Sequence, residues 1–443
     1  MEKLYILPRG TEPEGKTIAS LIRSRDRKKD IKAYNLLEKY YNSGDVLLRR
    51  TPHKLYAITN YARYITKTNT GYFLGNPVSY SANDKVNLDS ILQKYTAQTI
   101  STLDYELATD ASIFGHAFEQ VYVDEGREPK STKIDPRNII LVHDDTVNHN
   151  KMFAVIYSGQ RSSQEYDVTI LDSGNITEGK LTGDVLAIDK QMPHIFGEVP
   201  IVEYINSSDR VGDYEPVLSL IDARNILQSD RVLDRERLVD AILAFYGTAF
   251  SEEQRKQLKN SRMLSNLPPD AKVEYIVKNI NEADASVLLK AITDDIHMIS
   301  MTPNMTDENF ASNSSGVALS YKLIAFEQHI KDKERYFEKG LMDRLGLYYQ
   351  FVNSTKDDAI AKDAVDIIFS RDLPKNDYET AQLINLLLDS GLVDRETLAG
   401  RLSFVKDPKE IVVQALKEKE EDLKLGNYGT GEPDEADDPL DEE

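Results

Sequence analysis

An α+β fold, mostly helical, is what this sequence predicts, and three observations predict it. Residues up to about 80 carry apolar side chains at helical spacing. Residues 117–205 switch to short β-branched and aromatic runs broken by turn residues. From Pro216 onward the pattern is helical again. Strands gathered in one stretch, without helices alternating between them, give an antiparallel region and not a βαβ sheet. The 443 residues leave room for two or three domains.

In the first stretch Leu21, Ile22, Ile31, Leu36, Leu37 and Tyr40 recur as a helix face. Interleaved with them are Arg23, Arg25, Arg27, Lys28 and Lys29, either a solvated face or a contact for phosphate or a partner. A second helix is expected over residues 56–72, stopped by Gly75-Asn76-Pro77, and a third over 88–118. Strands follow at 118–123, 139–142, 153–157 and 167–171, with turns at Asp135-Pro136, Asp144-Asp145 and Asp172-Ser173-Gly174-Asn175.

From Pro216 the chain reads as helix for about thirty residues. Apolar doublets at Leu220-Ile221, Ile226-Leu227, Val232-Leu233 and Leu238-Val239 wind around it and do not line one stripe. Such a helix is contacted from more than one side, either between copies of itself in a ring or inside a large domain. A small insert follows, with a strand at 273–277 and a basic island in an acidic chain: Arg255, Lys256, Lys259, Arg262, Lys272 and Lys278. A helix over 282–300 completes a hairpin with a cap at its tip. Met301-Thr302-Pro303 and a polar loop over 309–315 lead to Gly316 and a long helix over 317–352, loosened by Gly340 and Gly346. Helices fill 378–424, and the last eighteen residues hold eight acidic side chains and no basic one, too polar to fold.

Composition removes several classes. Lys and Arg total 54 against 74 Asp and Glu, a net charge of −20, the opposite of what a static phosphate-gripping nucleic-acid binder needs. The absence of cysteine excludes disulfides, thiolate zinc sites and thiol nucleophiles. Seven scattered histidines, none in an i, i+4 pair, give no metal cage. No stretch approaches the ~20 apolar residues of a membrane span, and the first residues lack the pattern of a secretory signal, so a cytosolic protein or cytosolic assembly is expected.

One motif points elsewhere. Gly10-Thr11-Glu12-Pro13-Glu14-Gly15-Lys16-Thr17 satisfies the phosphate-binding pattern G-x-x-x-x-G-K-[ST], with a helix expected from Ile18 and a strand-borne acid at Asp144. The loop chemistry opposes it: Pro13 removes an N–H donor, and Glu12 and Glu14 aim carboxylates at a polyanion. His143, Asp144, Asp145 and His149 could hold a cation but read more simply as a turn, and His116 reads as a packed histidine. No other constellation of catalytic residues stands out.

Several stretches together resemble portal proteins of tailed bacteriophages, of the kind found in long-tailed phages of Gram-positive bacteria. The likeness lies in Leu36 through Asp45, with Tyr40-Tyr41 and Gly44; in Thr70 through Val78, with Tyr72, Gly75 and Pro77; and in Phe114 through Glu119 and Asp135-Pro136-Arg137. It continues in Met301 through Phe310, Ser315 through Leu319, and Phe369 through Pro374. The resemblance implies a non-enzymatic subunit of a ring of about twelve. It also implies a wing (1–215), a stem helix (216–245), a clip (246–280), a second stem helix (281–300), a tunnel loop (301–316), a kinked helix returning to the wing (317–374), a crown (375–425) and a disordered acidic tail (426–443). Double-stranded DNA would be packaged and later ejected through the ring, with Asn309, Ser312, Asn313 and Ser314 in the tunnel. Arg255, Lys256, Lys259 and Arg262 of the clip would meet partners. Those implied are the terminase large subunit, a head-completion or adaptor protein, and the major capsid and scaffolding proteins, with no cofactor, metal or membrane. The protein would reside at the portal vertex of the virion after assembly in the host cytoplasm. The rival expectation is a P-loop ATPase of the packaging machinery using Gly10–Thr17.

Overall fold

The structure, a computed structural model, describes residues 4–27, 30–44, 56–82, 88–160, 164–238, 242–246, 251–252, 272–276, 282–305, 316–355, 365–371, 377–390 and 393–399, with short pieces at 412–415 and 417. It divides into two compact units, residues 1–307 with 322–371, and residues 308–321 with 372–443.

In the first unit thirteen strands and eight helices are described: β1 (Tyr5–Leu7), α1 (Gly15–Arg27), α2 (Asp30–Ser43), α3 (Tyr61–Leu74), β2 (Ser79–Ala82), α4 (Asp89–Ala97) and α5 (Ile100–Phe114). Eight strands follow: β3 (His116–Val123), β4 (Pro129–Ile134), β5 (Ile139–Asp144), β6 (Lys151–Gln160), β7 (Glu165–Leu171), β8 (Asn175–Thr182), β9 (Val185–Pro193) and β10 (Ile201–Ile205). Then come α6 (Leu218–Leu238), β11 (Ile242–Tyr246), β12 (Lys272–Ile276), α7 (Glu282–Ile299), α8 (Gly316–Thr355, in this unit from Lys322) and β13 (Val365–Ile368). The mixed α and β content agrees with the α+β expectation.

A six-stranded sheet runs in the order β1-β5-β6-β7-β8-β9, antiparallel except where β1 lies parallel to β5. Period-two alternation explains its two cores. Ile140 and Val142 of β5, with Phe153, Val155 and Ile170, face Ile18, Leu21 and Ile22 of α1. Ile139 and Leu141 point the other way, to Phe118, Ala154, Leu171 and Ile201. Covered on both faces, β5 is buried throughout. A three-stranded sheet, β10-β3-β4, and the pair β13-β2 complete the body, while β11 and β12 form a separate hairpin-like pair.

The helices are delimited locally. Residues 56–60 are not helical as expected; α3 starts at Tyr61, capped by Asn60, whose side chain accepts from Arg63 N. The single helix expected over 88–118 is two, broken at Thr99 (φ 51°), and it gives way to β3 because Gly115 takes φ 83° and turns the chain. The helix expected from Pro216 to Phe245 stops by Leu238, and Phe245 lies in β11. The turn expected at Asp172-Ser173-Gly174-Asn175 ends as β8 begins at Asn175.

The long helix α8 is one helix from Gly316 to Thr355 and passes through Gly340 and Gly346. Its buried stripe is Leu323, Phe326, Ile330, Phe337, Leu341, Leu345 and Tyr348, helical spacing throughout. Each such burial is worth about 1.5–3 kcal/mol. Gly340 serves packing: a Cβ there would stand 2.5 Å from the Tyr204 ring. Among the described residues no helix is long and apolar enough to cross a membrane.

In the second unit, α9 (Asp377–Ser390) exposes Leu383, Leu386 and Leu388. The short α10 (Arg395–Ala399) is capped by Asp394, whose carboxylate accepts from Thr397 N at 3.3 Å. The expected acidic tail lies outside the described residues.

Candidate functional site

The tunnel-loop candidates Asn309, Ser312, Asn313 and Ser314, and the clip candidates Arg255, Lys256, Lys259 and Arg262, lie outside the described residues. Their anchors do not. The basic segment hangs from β11 and β12, paired antiparallel from Ile242↔Ile276 to Tyr246↔Lys272. The polar loop leaves α7 through a fixed root. His297 Nδ1 bonds Thr302 O at 2.9 Å, the Thr302 hydroxyl donates to Asn69 Oδ1 at 3.1 Å, and the Tyr64 hydroxyl donates to Pro303 O at 2.9 Å. Burial holds His297 below the ordinary histidine range.

The two helices flanking this region pack as a hairpin. Arg231 of α6 pairs with Glu282 of α7, and Arg224 donates to Thr293 Oγ1 (3.1 Å) and Thr59 Oγ1 (2.8 Å) while lying 4.7 Å from the Tyr61 ring centre. Buried on α6 are Ile221, Asp222, Asn225 and Ser229, so its inner stripe is largely polar and takes Ile221 from the first of the winding apolar doublets. The reason lies in the extended segment before α3. Ala57 N donates to Ser229 Oγ and Thr59 N to Asn225 Oδ1, both at 3.0 Å, and Asn225 Nδ2 donates to Gly44 O at 3.0 Å. Four helical residues rise about 6 Å and two extended residues advance about 6.6 Å. One helix face thereby does the work of a missing neighbour strand.

On α7 Ile292 and Ile296 face the core, Val287 (70%) and Met298 (69%) are exposed on the opposite side, and Leu288 (51%) and Ile299 (45%) are exposed where the inward stripe continues toward the two ends of the helix. Just past its end Met301 and Met305 are half exposed as well. Exposed apolar side chains in this number on one helix are available for association.

Buried charges hold α8 in register. Lys333 pairs with Asp213 at 2.6 Å, with His329 3.6 Å from the same carboxyl; burial raises that carboxyl, but Lys333 and His329 hold it well below the carboxylate range. Arg344 donates to Asp104 at 2.6 Å and to the Tyr80 hydroxyl at 3.1 Å, and lies 3.6 Å from Glu119, whose carboxyl burial pushes up in spite of Arg344. Arg371 pairs with both Glu327 and Glu334, and the Tyr72 hydroxyl donates to Glu327. Tyr72 and Arg371, each from a stretch that carries the resemblance, therefore meet at one glutamate. Sequence reading missed these pairs because their members stand far apart in the chain and lack a local pattern.

The Gly10–Thr17 stretch does not form a phosphate cradle. Thr11 commits both its N–H (3.1 Å) and its hydroxyl (2.6 Å) to Pro8 O, and Glu14 N donates to Glu12 O. Gly15 is pressed against the backbone of the β8–β9 turn, where a Cβ would stand 2.5 Å from Asp184 O. β5 does lie beside β1, but the Asp144 carboxylate accepts from Thr146 and Asn150, whose bonds lower it to about 2, so it closes its own turn and is not free for magnesium. Among the described residues no cluster of His, Asp and Glu could hold a metal, the His143, Asp144, Asp145 and His149 group included. The early basic cluster is structural where described. Arg25 is buried and donates to Pro136 O and Ile139 O, and Arg23 pairs with Asp184. His116 is buried but also bonded, to the Tyr34 hydroxyl (2.7 Å) and Glu203 (2.8 Å).

The family described as "Phage portal protein, SPP1 Gp6-like" matches residues 23–425. The portal protein of Bacillus phage SPP1 is 21% identical over 372 residues, covering 79% of this chain and 73% of that relative.

Proposed function

Since the chain belongs to the phage portal protein family, SPP1 Gp6-like, we propose that its copies close into a ring of about twelve around an open axis at one capsid vertex. Double-stranded DNA is driven inward through this ring during packaging and leaves by it at ejection. The observation that carries the reading is the set of exposed apolar side chains on α7: Val287, Leu288, Met298 and Ile299 need cover, and the neighbouring copy's stem supplies it. A head-to-tail contact of this kind makes a ring when its rotation closes.

In this arrangement residues 1–215 form the wing, α6 and α7 the stem, 246–280 the clip, 301–316 the tunnel loop and 375–425 the crown, with α8 returning to the wing. Asn309, Ser312, Asn313 and Ser314 touch passing DNA transiently. Arg255, Lys256, Lys259 and Arg262 meet the terminase large subunit and later the head-completion or adaptor protein, and the outer surface meets the major capsid and scaffolding proteins. The ring assembles in the host cytoplasm and remains in the virion. Acidic walls suit a conduit, because a surface that neutralises phosphates would hold the duplex by counterion release. The subunit is a passage and platform, and the chemical work belongs to the motor docked on it.

Native mass spectrometry and electron micrographs of the purified chain test this. Rings with an open centre are expected, and a monomer or dimer at every concentration overturns the reading. Deleting residues 309–315 is expected to spare the ring and impair packaging.

A further inference from the structure

Where the α1–α2 junction meets β5 and the three-stranded sheet, the protein encloses a cavity of about 10 Å³. Tyr5, Arg25, Asp30, His116, His143 and Glu203 are among its walls. Arg25 and Asp30 are each 2% exposed and His143 8% exposed. Each carries one buried polar atom without a protein partner: Arg25 Nε, Asp30 Oδ1 and His143 Nδ1. Arg25 and Asp30 engage their other polar atoms. Arg25 donates through its terminal nitrogens to Pro136 O and Ile139 O, and Asp30 Oδ2 accepts from the Tyr5 hydroxyl at 2.8 Å. Leaving a buried polar atom unpaired costs about 1–3 kcal/mol. Three in the walls of one cavity call for a common partner.

We propose that this cavity is a binding site for a single water molecule, held by Arg25, Asp30 and His143. The size is near the smallest that admits one water and excludes anything larger. Donors and acceptors match: Arg25 Nε–H donates to the water oxygen, and the two water protons go to Asp30 Oδ1 and His143 Nδ1. That assignment puts the His143 proton on Nε2. Charge favours a neutral occupant over an ion, because the walls carry both Arg25 and Asp30 while Glu203 is already matched by Arg210 at 3.0 Å. The water ties the end of α1 and the start of α2 to β5, and through Asp30 and Tyr5 it steadies β1 at the sheet edge.

The test is independent of ring formation. A crystal or cryo-electron map of the full chain fine enough to order solvent should show one peak within hydrogen-bond distance of all three atoms. Oxygen-17 relaxation of the wild type and of His143→Phe, which fills the space, should count one fewer long-lived water per chain in the variant. The amides of β1 should exchange faster there. A wild-type map with no peak in the cavity, a peak coordinated as a metal ion, or an unchanged water count in a folded variant overturns the proposal. If His143→Phe does not fold, the wild-type map decides alone.

Discussion

Lys333 Nζ lies 2.6 Å from Asp213 Oδ2, and both side chains are almost wholly buried. The same carboxylate accepts from Ser112 Oγ at 2.6 Å and from Asn206 Nδ2 at 2.8 Å. This pair joins α8 to the segment that leads into α6. A buried pair of this kind specifies register more than it adds stability, but breaking it strands a charge. Lys333→Met is expected to destabilise the fold by about 3–5 kcal/mol in denaturant titrations, and the double variant with Asp213→Leu to recover much of that loss. With the carboxyl held low in the folded state, its contribution is complete above the unfolded value, about pH 4. It is lost only as the pH falls through the depressed folded value.

Gly340 is constrained by Tyr204, not by flexibility. Gly340→Ala would gain helix propensity of about 1 kcal/mol in an exposed helix. Here it places a carbon 2.5 Å from a fully buried ring, so a net loss of about 1–3 kcal/mol is expected in thermal or urea melts. A stabilised Gly340→Ala variant would contradict the packing role.

Asn225 stands in for a strand partner. Asn225→Leu leaves Thr59 N and the Gly44 carbonyl without their bonds, at about 1–3 kcal/mol for the buried Gly44 carbonyl and less for Thr59, which water can reach. Hydrogen exchange at Thr59 should speed up, while the amides of β6 and β7 change only with global stability.

Val287→Asp combined with Met298→Asp tests the outer face of α7. Both side chains are about 70% exposed, so the isolated subunit should keep its melting temperature within a degree or two, a surface substitution effect. Rings should be lost in native mass spectra. Intact rings would move the interface elsewhere.

His143 supplies a second pH signature. Burial lowers it to about 4, with Glu203 opposing and Lys151, Arg210 and His149 reinforcing the shift. Its unfolded value is about 6.5. The folded state is therefore favoured in full above about pH 6.5, and loses that contribution as the pH falls toward 4. A folded His143→Phe variant should show a flatter stability profile across that window.

Much of the architecture was legible because it is written in local periodicity. The span of the strand region, the helix pair around a small insert and the forty-residue helix α8 all follow from spacing and turn residues. Boundaries were less legible. Residues 56–60 have helical composition but are drawn out by bonds to α6, and Phe245 sits in an apolar run that suits helix or strand equally until β12 pairs with it. Gly340 and Gly346 read as points where the helix loosens, since a sequence does not reveal that a tyrosine ring from β10 needs the space at Gly340.

The stretches around Tyr72, His116, Met301 and Arg371 were sufficient by themselves to reveal kinship, because short motifs survive as contiguous letters. The phosphate-loop pattern was equally contiguous. Only the tertiary structure showed its hydrogen bonds turned inward to Pro8 and Glu12 and its second glycine pinned under Asp184. Adjacent residues inform on backbone preference over a few ångströms. Lys333 with Asp213, Arg344 with Asp104 and the three walls of the Arg25 cavity become neighbours only when distant segments pack, and Coulomb and hydrogen-bond energies depend on that separation in space alone.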